Sequence, residues 1–461
     1  MAVEAYLSTA YIFLLIVKVD VLYFYEMRLS KNEKIDKEIF TNIFLDNWDN
    51  FKDRHPKYAD SQYEDPVQKM LGCGKESNGY SEHICMDCGQ DVRRVAFSCK
   101  SGFCLSCAKK YVDDFVCQVS NMLHPGVIYR HIVLTIPEQL RIVFYHHRHE
   151  GSLLSMFMKI GYECLEDVVS TVKRLLLKIG CIVVVQTHGR SGHYNPHLHI
   201  IMTSGGIDTG TERWVDLGYF NYEIIHKKWQ YHLFGKLKAF FACSEINQLI
   251  NELWKKYPNG LVANVSKGDV PNNCKGLARY LAKYVASPPI AVRRIVSYDG
   301  ETIKYWYKDH KTRSKMFEEV DVFTFIGRMV QHIMPKNFHR VRYYGLESTK
   351  SFKKWAEVIT RGIKKLGRVV KGVYEIVRKK KYSERYEKIS GYDPMKCRCC
   401  GGRMELWKIW HPKYGLIYDE SENIKSGKYE SYSAQFDEGR GGYPLRSSTR
   451  GVQLSLFALL S

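Results

Sequence analysis

The spacing of apolar residues changes from one stretch of this chain to the next. Ile35, Ile39, Phe40, Ile43 and Phe44 recur at intervals of three and four, which predicts a helix over 35–55. Residues 152–178 carry the same period and predict a second, longer helix. Residues 127–135, Val-Ile-Tyr-Arg-His-Ile-Val-Leu-Thr, are rich in β-branched side chains and read as a strand. Cys181 to Gln186 is an apolar run and a second strand. Gly189 to Tyr194 supplies turn residues, and His197 to Thr203 returns as a third strand, so the last two should pair as an antiparallel hairpin. Residues 273–286 predict a helix ended by Pro288-Pro289. Arg294–Ser297 and Ile303–Lys308 flank Asp299-Gly300, a strong hairpin signal. Beyond 350 the pattern is helical and basic, and from about 420 it fades into Ser, Gly, Tyr and Glu, which predicts a mobile tail. Antiparallel strands mixed with intervening helices point to an α+β fold.

The chain of 461 residues is long enough for two or three domains, and 45% hydrophobic content permits a sizeable core. Its formal net charge of +20 favours a polyanionic partner, nucleic acid before a membrane surface. The charge is concentrated: residues 351–390 hold 13 Lys/Arg against 4 Asp/Glu, including the run Arg378, Lys379, Lys380 and Lys381. The apolar stretch from Ala5 to Tyr25 is interrupted by Lys18 and Asp20, and its longest uncharged run, Ala5 to Val17, is too short to span a bilayer. Neither a basic leader nor a cleavage site is evident there. Residues 1–34 are therefore read either as an upstream extension, with Met27 as a natural start, or as an extra packed element, and no membrane role is expected.

Chemistry enters with Asn195-Pro196-His197-Leu198-His199. Histidines two apart on a strand point to the same face. Gln186 and His188 share a face of the preceding strand, so the hairpin brings one of them to complete a three-ligand site. Imidazole with a carboxamide oxygen suits Mg²⁺ or Mn²⁺ better than structural zinc. Tyr280 and Tyr284, four apart on the 273–286 helix, also share a face. A phenolate there could attack phosphorus and release a 3′-OH, with Arg279 and Lys283 beside it to meet the phosphate. By themselves an H-x-H pair and two helical tyrosines are more often an exposed strand face and a buried stripe.

Fourteen cysteines could signal a secreted disulfide scaffold, but several occur as C-x2-C pairs, which favour zinc and a reducing compartment. Cys85-x2-Cys88 and Cys104-x2-Cys107 together supply four thiolates for a tetrahedral zinc. Cys73, His83 and Cys99 lie beside them as part of a second site whose fourth ligand is not evident. Arg93 and Arg94 flank the knuckles and suit DNA. Cys397-x2-Cys400 looks like half of a zinc ribbon; it is either a relic or borrows ligands from elsewhere.

Taken in order, these stretches resemble the two-tyrosine HUH transposases of the IS91 group, which move insertion sequences by a rolling-circle-like route. The resemblance rests on the cysteine module at 73–107, His131-Ile-Val-Leu-Thr-Ile-Pro137, Gln186-Thr-His-Gly189, Asn195-Pro-His-Leu-His199 and Leu277-Ala-Arg-Tyr-Leu-Ala-Lys-Tyr284. It continues in Tyr307-Lys-Asp309, the stretch from Met334 to Gly345, and Cys397-Arg-Cys-Cys-Gly-Gly402, and so covers about 35–405. It implies an HUH-type antiparallel sheet with flanking helices. It also implies that His197 and His199 are metal ligands with Gln186 favoured as the third, and that Tyr280 and Tyr284 are nucleophiles. Single-stranded DNA at element ends is the implied substrate, acted on in a prokaryotic cytoplasm. Leu105 stands where the family usually has proline, and the linker around Lys100-Ser101-Gly102 lacks the usual basic-polar pattern.

The expected layout is an extension (1–34), a zinc-binding DNA-recognition domain (35–115), a catalytic domain (120–345), a basic helical region with the last knuckle (346–405) and a variable tail (406–461). Two other functions fit the same residues: a plasmid or phage replication initiator or relaxase, and a zinc-containing DNA-binding protein without catalysis. Transposon ends or a replication origin beside the gene would separate the first from the transposase. Oligomeric state is not legible.

Overall fold

The computed structural model describes residues 38–426 apart from 219–220, 267–273, 286–287, 310–311, 313, 366–382, 385–386 and 388–391. The extension 1–34, the run Arg378–Lys381 and the chain from 427 onward lie outside the described residues. The chain forms two compact units. One runs through Gly74 and resumes from Ser98 to Tyr392; the other takes Lys75–Phe97 and resumes at Asp393. The expected layout is thus redrawn: the 35–115 stretch is shared between both units. Residues 404–425, most of which were expected to belong to the tail, form strands and a short helix.

In chain order, α1 (Ile39–Arg54) and α2 (Ser61–Leu71) lead into the hairpin strands β1 (Tyr80–Cys85) and β2 (Val92–Ala96). Then come α3 (Ala108–Ser120), β3 (Tyr129–Thr135), α4 (Glu138–His146), α5 (Gly151–Lys173), β4 (Leu177–His188), β5 (Tyr194–Asp208) and β6 (Arg213–Asp216). After α6 (Glu223–Phe241), α7 (Ser244–Lys256), β7 (Ala263–Val265) and α8 (Cys274–Val285), the strands β8 (Ile295–Tyr298), β9 (Thr302–Lys308) and β10 (Lys315–Asp321) form a three-stranded sheet. The chain continues through α9 (Val322–Val330), β11 (Val341–Gly345), α10 (Phe352–Lys365), β12 (Met404–His411), β13 (Gly415–Asp419) and α11 (Glu420–Lys425). Among the described residues no helix is long and apolar enough to cross a membrane.

The larger unit is organised by a six-stranded antiparallel sheet, ordered β11-β4-β5-β3-β7 with β6 beside β5. Residues Cys181–Val185 are buried on both faces of β4 because helices cover both sides. Ile132, Leu134, Val183, Val185, Leu198 and Ile200 face a core shared with α5 and α6. Ile182, Val184 and Ile201 face a second core with α3, α8 and α10. Gly161 lets α5 approach closely: a Cβ there would stand 2.6 Å from Leu198 Cδ1. α5 is shorter than its periodicity suggests, because Arg174 adopts left-handed φ 55°, and β4 correspondingly begins earlier, at Leu177. The Asp299-Gly300 hairpin forms as expected. Asp299 Oδ1 accepts from the N–H of Glu301 (2.9 Å) and Thr302 (2.7 Å), and Gly300 takes φ 104°.

The smaller unit is a four-stranded sheet, β13-β12-β1-β2. Its buried core is little more than Cys85, Cys397 and Met404. Tyr80 stacks on Trp410 across the β1–β12 pair, with ring centroids 5.7 Å apart. So small a core cannot hold a sheet alone and needs a staple.

Candidate active site and metal centres

The β4–β5 hairpin aligns Gln186 with His197 and Val184 with His199, so all four side chains share one sheet face. Beyond Gln186 the register slips, pairing His188 with Tyr194. The one extra residue falls within Asn195-Pro196, where Pro196 has no N–H to leave unpaired. The bulge also turns the Asn195 carbonyl onto His197: Nδ1 donates to it across 2.7 Å, which leaves the Nε2 lone pair facing the site. Gln186 Oε1 lies 3.0 Å from His197 Nε2 and 3.2 Å from His199 Nε2. His188 stands behind, its Nε2 3.2 Å from Gln186 Nε2, so it takes the amide's N–H and turns the carbonyl oxygen toward the histidines. Of the two alternatives for a third ligand, Gln186 is the one brought to the pair.

Burial keeps these rings neutral. It pushes His199 down to about 2, helped by His197, His131 and His188, and lowers His197 as well, with Arg141 adding to the effect. Neutral imidazole is the form that can donate to a metal. Arg141, on α4, has a buried Nε with no hydrogen-bond partner among the described residues.

His131 connects this site to the tyrosine helix. It lies on β3, and β3 pairs with β5 so that Val133 opposes His199 and His131 opposes Ile201. His131 therefore shares the ligand face, one step along from His199. Its Nε2 lies 3.0 Å from His199 Nδ1; its Nδ1 lies 2.8 Å from the Tyr280 hydroxyl and 2.9 Å from Ser266 Oγ. Burial lowers His131 to about 4. α8 seats Leu277, Ala278, Leu281 and Ala282 in the core, which leaves half-buried Tyr280 at the edge of that stripe and Arg279 exposed. Tyr284 and Lys283 belong to α8; their side chains lie outside the described residues. In the sequence His131 stands out only as part of the stretch His131–Pro137 that carries the family resemblance. The lone histidine gave no local signal, because its role depends on the β3–β5 register.

The cysteines group differently from the expectation. Cys73, Cys99, Cys104 and Cys107 form one cluster, and Cys85, Cys88, Cys397 and Cys400 the other; within each, all ligand atoms lie within 4.8 Å of one another. Cys85-x2-Cys88 and Cys104-x2-Cys107 thus belong to different sites. The β1–β2 hairpin carries the first knuckle into the smaller unit, while the second leads into α3 in the larger. His83 joins neither cluster, since each already has four thiols. In the first cluster Cys107 Sγ is 3.5 Å from Cys73 Sγ and 3.6 Å from Cys99 Sγ, near the roughly 3.8 Å edge of a tetrahedron built on ~2.3 Å Zn–S bonds. The N–H groups of Cys99 and Ser101 donate to Cys73 Sγ and Cys99 Sγ, as zinc-knuckle thiolates require.

The expected DNA-contacting arginines of the hairpin are committed locally. Arg93 bonds Asp91 (3.1 Å) and the Pro394 carbonyl, and Arg94 bonds Glu82 (2.8 Å) and Glu76 (3.4 Å).

Two family models match. One, described as "Putative transposase", covers 180–354; the other, a transposase zinc-binding domain of IS91 type, covers 43–136. The transposase for insertion sequence element IS801 of Pseudomonas savastanoi pv. phaseolicola is 26% identical over 357 residues, 73% of this chain and 82% of that protein. "Putative transposase y4qJ" of Sinorhizobium fredii (strain NBRC 101917 / NGR234) is 24% identical over 354 residues, 71% of this chain and 84% of that one. No solved structure matches. The zinc-binding domain and the two four-cysteine clusters together support zinc as a metal of this protein. With its order of motifs, its α+β architecture and these relatives, the chain belongs to the IS91 family of transposases and carries their N-terminal zinc-binding domain.

Proposed function

We propose that this transposase nicks and rejoins single-stranded DNA at the ends of its element, in the cytoplasm of a prokaryote, through a 5′-phosphotyrosine on Tyr280, with Tyr284 taking a second transfer. One observation carries the reading: the Tyr280 hydroxyl is hydrogen-bonded to His131 and His131 to His199, whose Nε2 converges with His197 Nε2 on the Gln186 carboxamide oxygen.

The donor set fits a hard or borderline divalent ion, with two neutral imidazoles and a carboxamide oxygen oriented by His188. When bound by His197, His199 and Gln186, Mg²⁺ or Mn²⁺ would polarise the scissile phosphate. The remaining work belongs to the side chains. If His199 keeps its Nε2 lone pair toward the site, its Nδ1 carries the hydrogen and donates to His131 Nε2. His131 then holds its own hydrogen on Nδ1, aimed at the Tyr280 oxygen and at Ser266 Oγ. In that tautomer His131 stabilises the phenolate rather than accepting its proton, which passes to solvent. The Tyr280 oxygen bonds to phosphorus, the bond to the 3′ oxygen breaks, and that oxygen leaves as a 3′-OH after taking a proton from solvent. Arg141, close enough to lower His197 and unpartnered at Nε among the described residues, is the cation available to the phosphate.

The test is incubation of the purified protein with single-stranded end oligonucleotides and Mn²⁺, followed by denaturing gels and mass spectrometry of the tyrosyl peptide. A denaturation-stable adduct on Tyr280 or Tyr284 is expected. An adduct of undiminished yield in the Tyr280→Phe, Tyr284→Phe double variant would end this reading.

A further inference from the structure

The second cysteine cluster draws its thiols from opposite ends of the described chain. Cys85 and Cys88 close the turn after β1; Cys397 and Cys400 precede β12, and the whole larger-unit stretch Ser98–Tyr392 separates the two pairs. Cys85 Sγ lies 3.5 Å from Cys400 Sγ, and Cys88 Sγ 3.6 Å from Cys397 Sγ. We propose that these four thiols bind a second zinc ion, independent of the Cys73–Cys99–Cys104–Cys107 site, and that this ion joins the end of the chain to the zinc-binding domain as one discontinuous ribbon.

Three features make this a built site. The sulfur separations are far longer than the ~2.05 Å of a disulfide and close to the edge of a zinc–thiolate tetrahedron. Backbone N–H groups are spent on the sulfurs: Cys399 and Cys400 donate to Cys397 Sγ at 3.2 and 3.5 Å, and Gly402 donates to Cys400 Sγ at 3.4 Å. Those donors favour thiolate over thiol. The surrounding strands are also in place, since Cys85 pairs with Met404 at one end of the β1–β12 ladder and Tyr80 with Trp410 at the other. Among the described residues the unit's hydrophobic core is only Cys85, Cys397 and Met404, so the ion would be its main tie.

Both ligand pairs must be present for closure. A chain that stops before Cys397 leaves Cys85 and Cys88 as half a site and β1 without β12. Cys399, exposed and next to two ligands, belongs to neither cluster and serves as an internal control.

The experiment measures zinc per chain in the purified full-length protein and maps cysteine alkylation by mass spectrometry. Two zinc ions per chain are expected, with Cys399 alkylated and the eight clustered thiols protected. The Cys397→Ser, Cys400→Ser double variant should hold one zinc and expose Cys85 and Cys88, while Cys73, Cys99, Cys104 and Cys107 stay protected. Cys399→Ser should keep two. Should the double variant fail to fold, stepwise chelation of the unaltered protein gives the same answer, with Cys85 and Cys88 becoming reactive together with Cys397 and Cys400. The proposal is overturned if the unaltered chain holds a single zinc, if Cys85 and Cys88 stay protected without Cys397 and Cys400, or if they become reactive together with Cys104 and Cys107.

Discussion

His131 is engaged at both ring nitrogens, by His199 on one side and by Tyr280 and Ser266 on the other. A side chain so placed fixes the tautomer of one neighbour and the hydroxyl of another. His131→Phe keeps an aromatic ring and removes all three hydrogen bonds. It should slow adduct formation by about 10–100-fold, weaken Mn²⁺ binding measured by calorimetry, and leave the fold intact by circular dichroism. An unchanged adduct rate would remove His131 from the mechanism. Arg141→Met separates phosphate stabilisation from metal binding. Cleavage should fall by roughly 10²–10³, the usual cost of one well-aimed donor, with Mn²⁺ affinity undiminished. The H-x-H pair was legible because strand periodicity alone puts His197 and His199 on one face. His131 and Arg141 were not, because each reaches the site through a pairing distant in sequence.

The elements that hold this site show where local pattern runs out. The β4–β5 hairpin and α8 fell where their apolar spacing put them, whereas the end of α5 depended on the left-handed backbone at Arg174. At the far edge of the sheet, Gly345 pairs with Gly180 at φ 60°, and a Cβ there would meet the Ile179 carbonyl oxygen at 1.8 Å. Gly345→Ala should therefore cost at least about 2 kcal/mol in urea unfolding. Two residues on, Glu347 is fully buried and accepts from the Tyr129 hydroxyl at 2.7 Å. Burial pushes its carboxyl up to about 8, so it is largely protonated at neutral pH. A carboxyl raised above its unfolded value stabilises the fold fully below about 4.5, and that contribution is lost as pH rises through about 8. Unfolding midpoints should accordingly fall between pH 5 and 9 in the unaltered protein, and Glu347→Gln should flatten that slope. Equal slopes in both proteins would show that Glu347 ionises freely.

At the scale of the whole molecule, two quantities legible in the sequence meet: the cysteine count and the charge. Three C-x2-C pairs with Cys73 and Cys99 make eight thiols, enough for two tetrahedral sites, yet their division followed strand pairing rather than proximity in the chain. Charge needs no such pairing to act, because a net +20 attracts a polyanion wherever its cations lie. Arg93 and Arg94 are ion-paired with carboxylates, whereas the 351–390 stretch carries the densest run of cations. Its run Arg378–Lys381 gives a quantitative test. Each phosphate neutralised on single-stranded DNA contributes about 0.7 to the slope of log K against log salt. Replacing all four cations by Gln should flatten that slope by about 3 if all of them contact phosphates, with most of the affinity loss at low salt. The nicking rate at saturating DNA should hold, because the cleavage chemistry is assigned to side chains on β4, β5, β3, α4 and α8. A slope that does not move would place the DNA-binding charge elsewhere on the chain, and a lower rate at saturation would tie this basic stretch to catalysis itself.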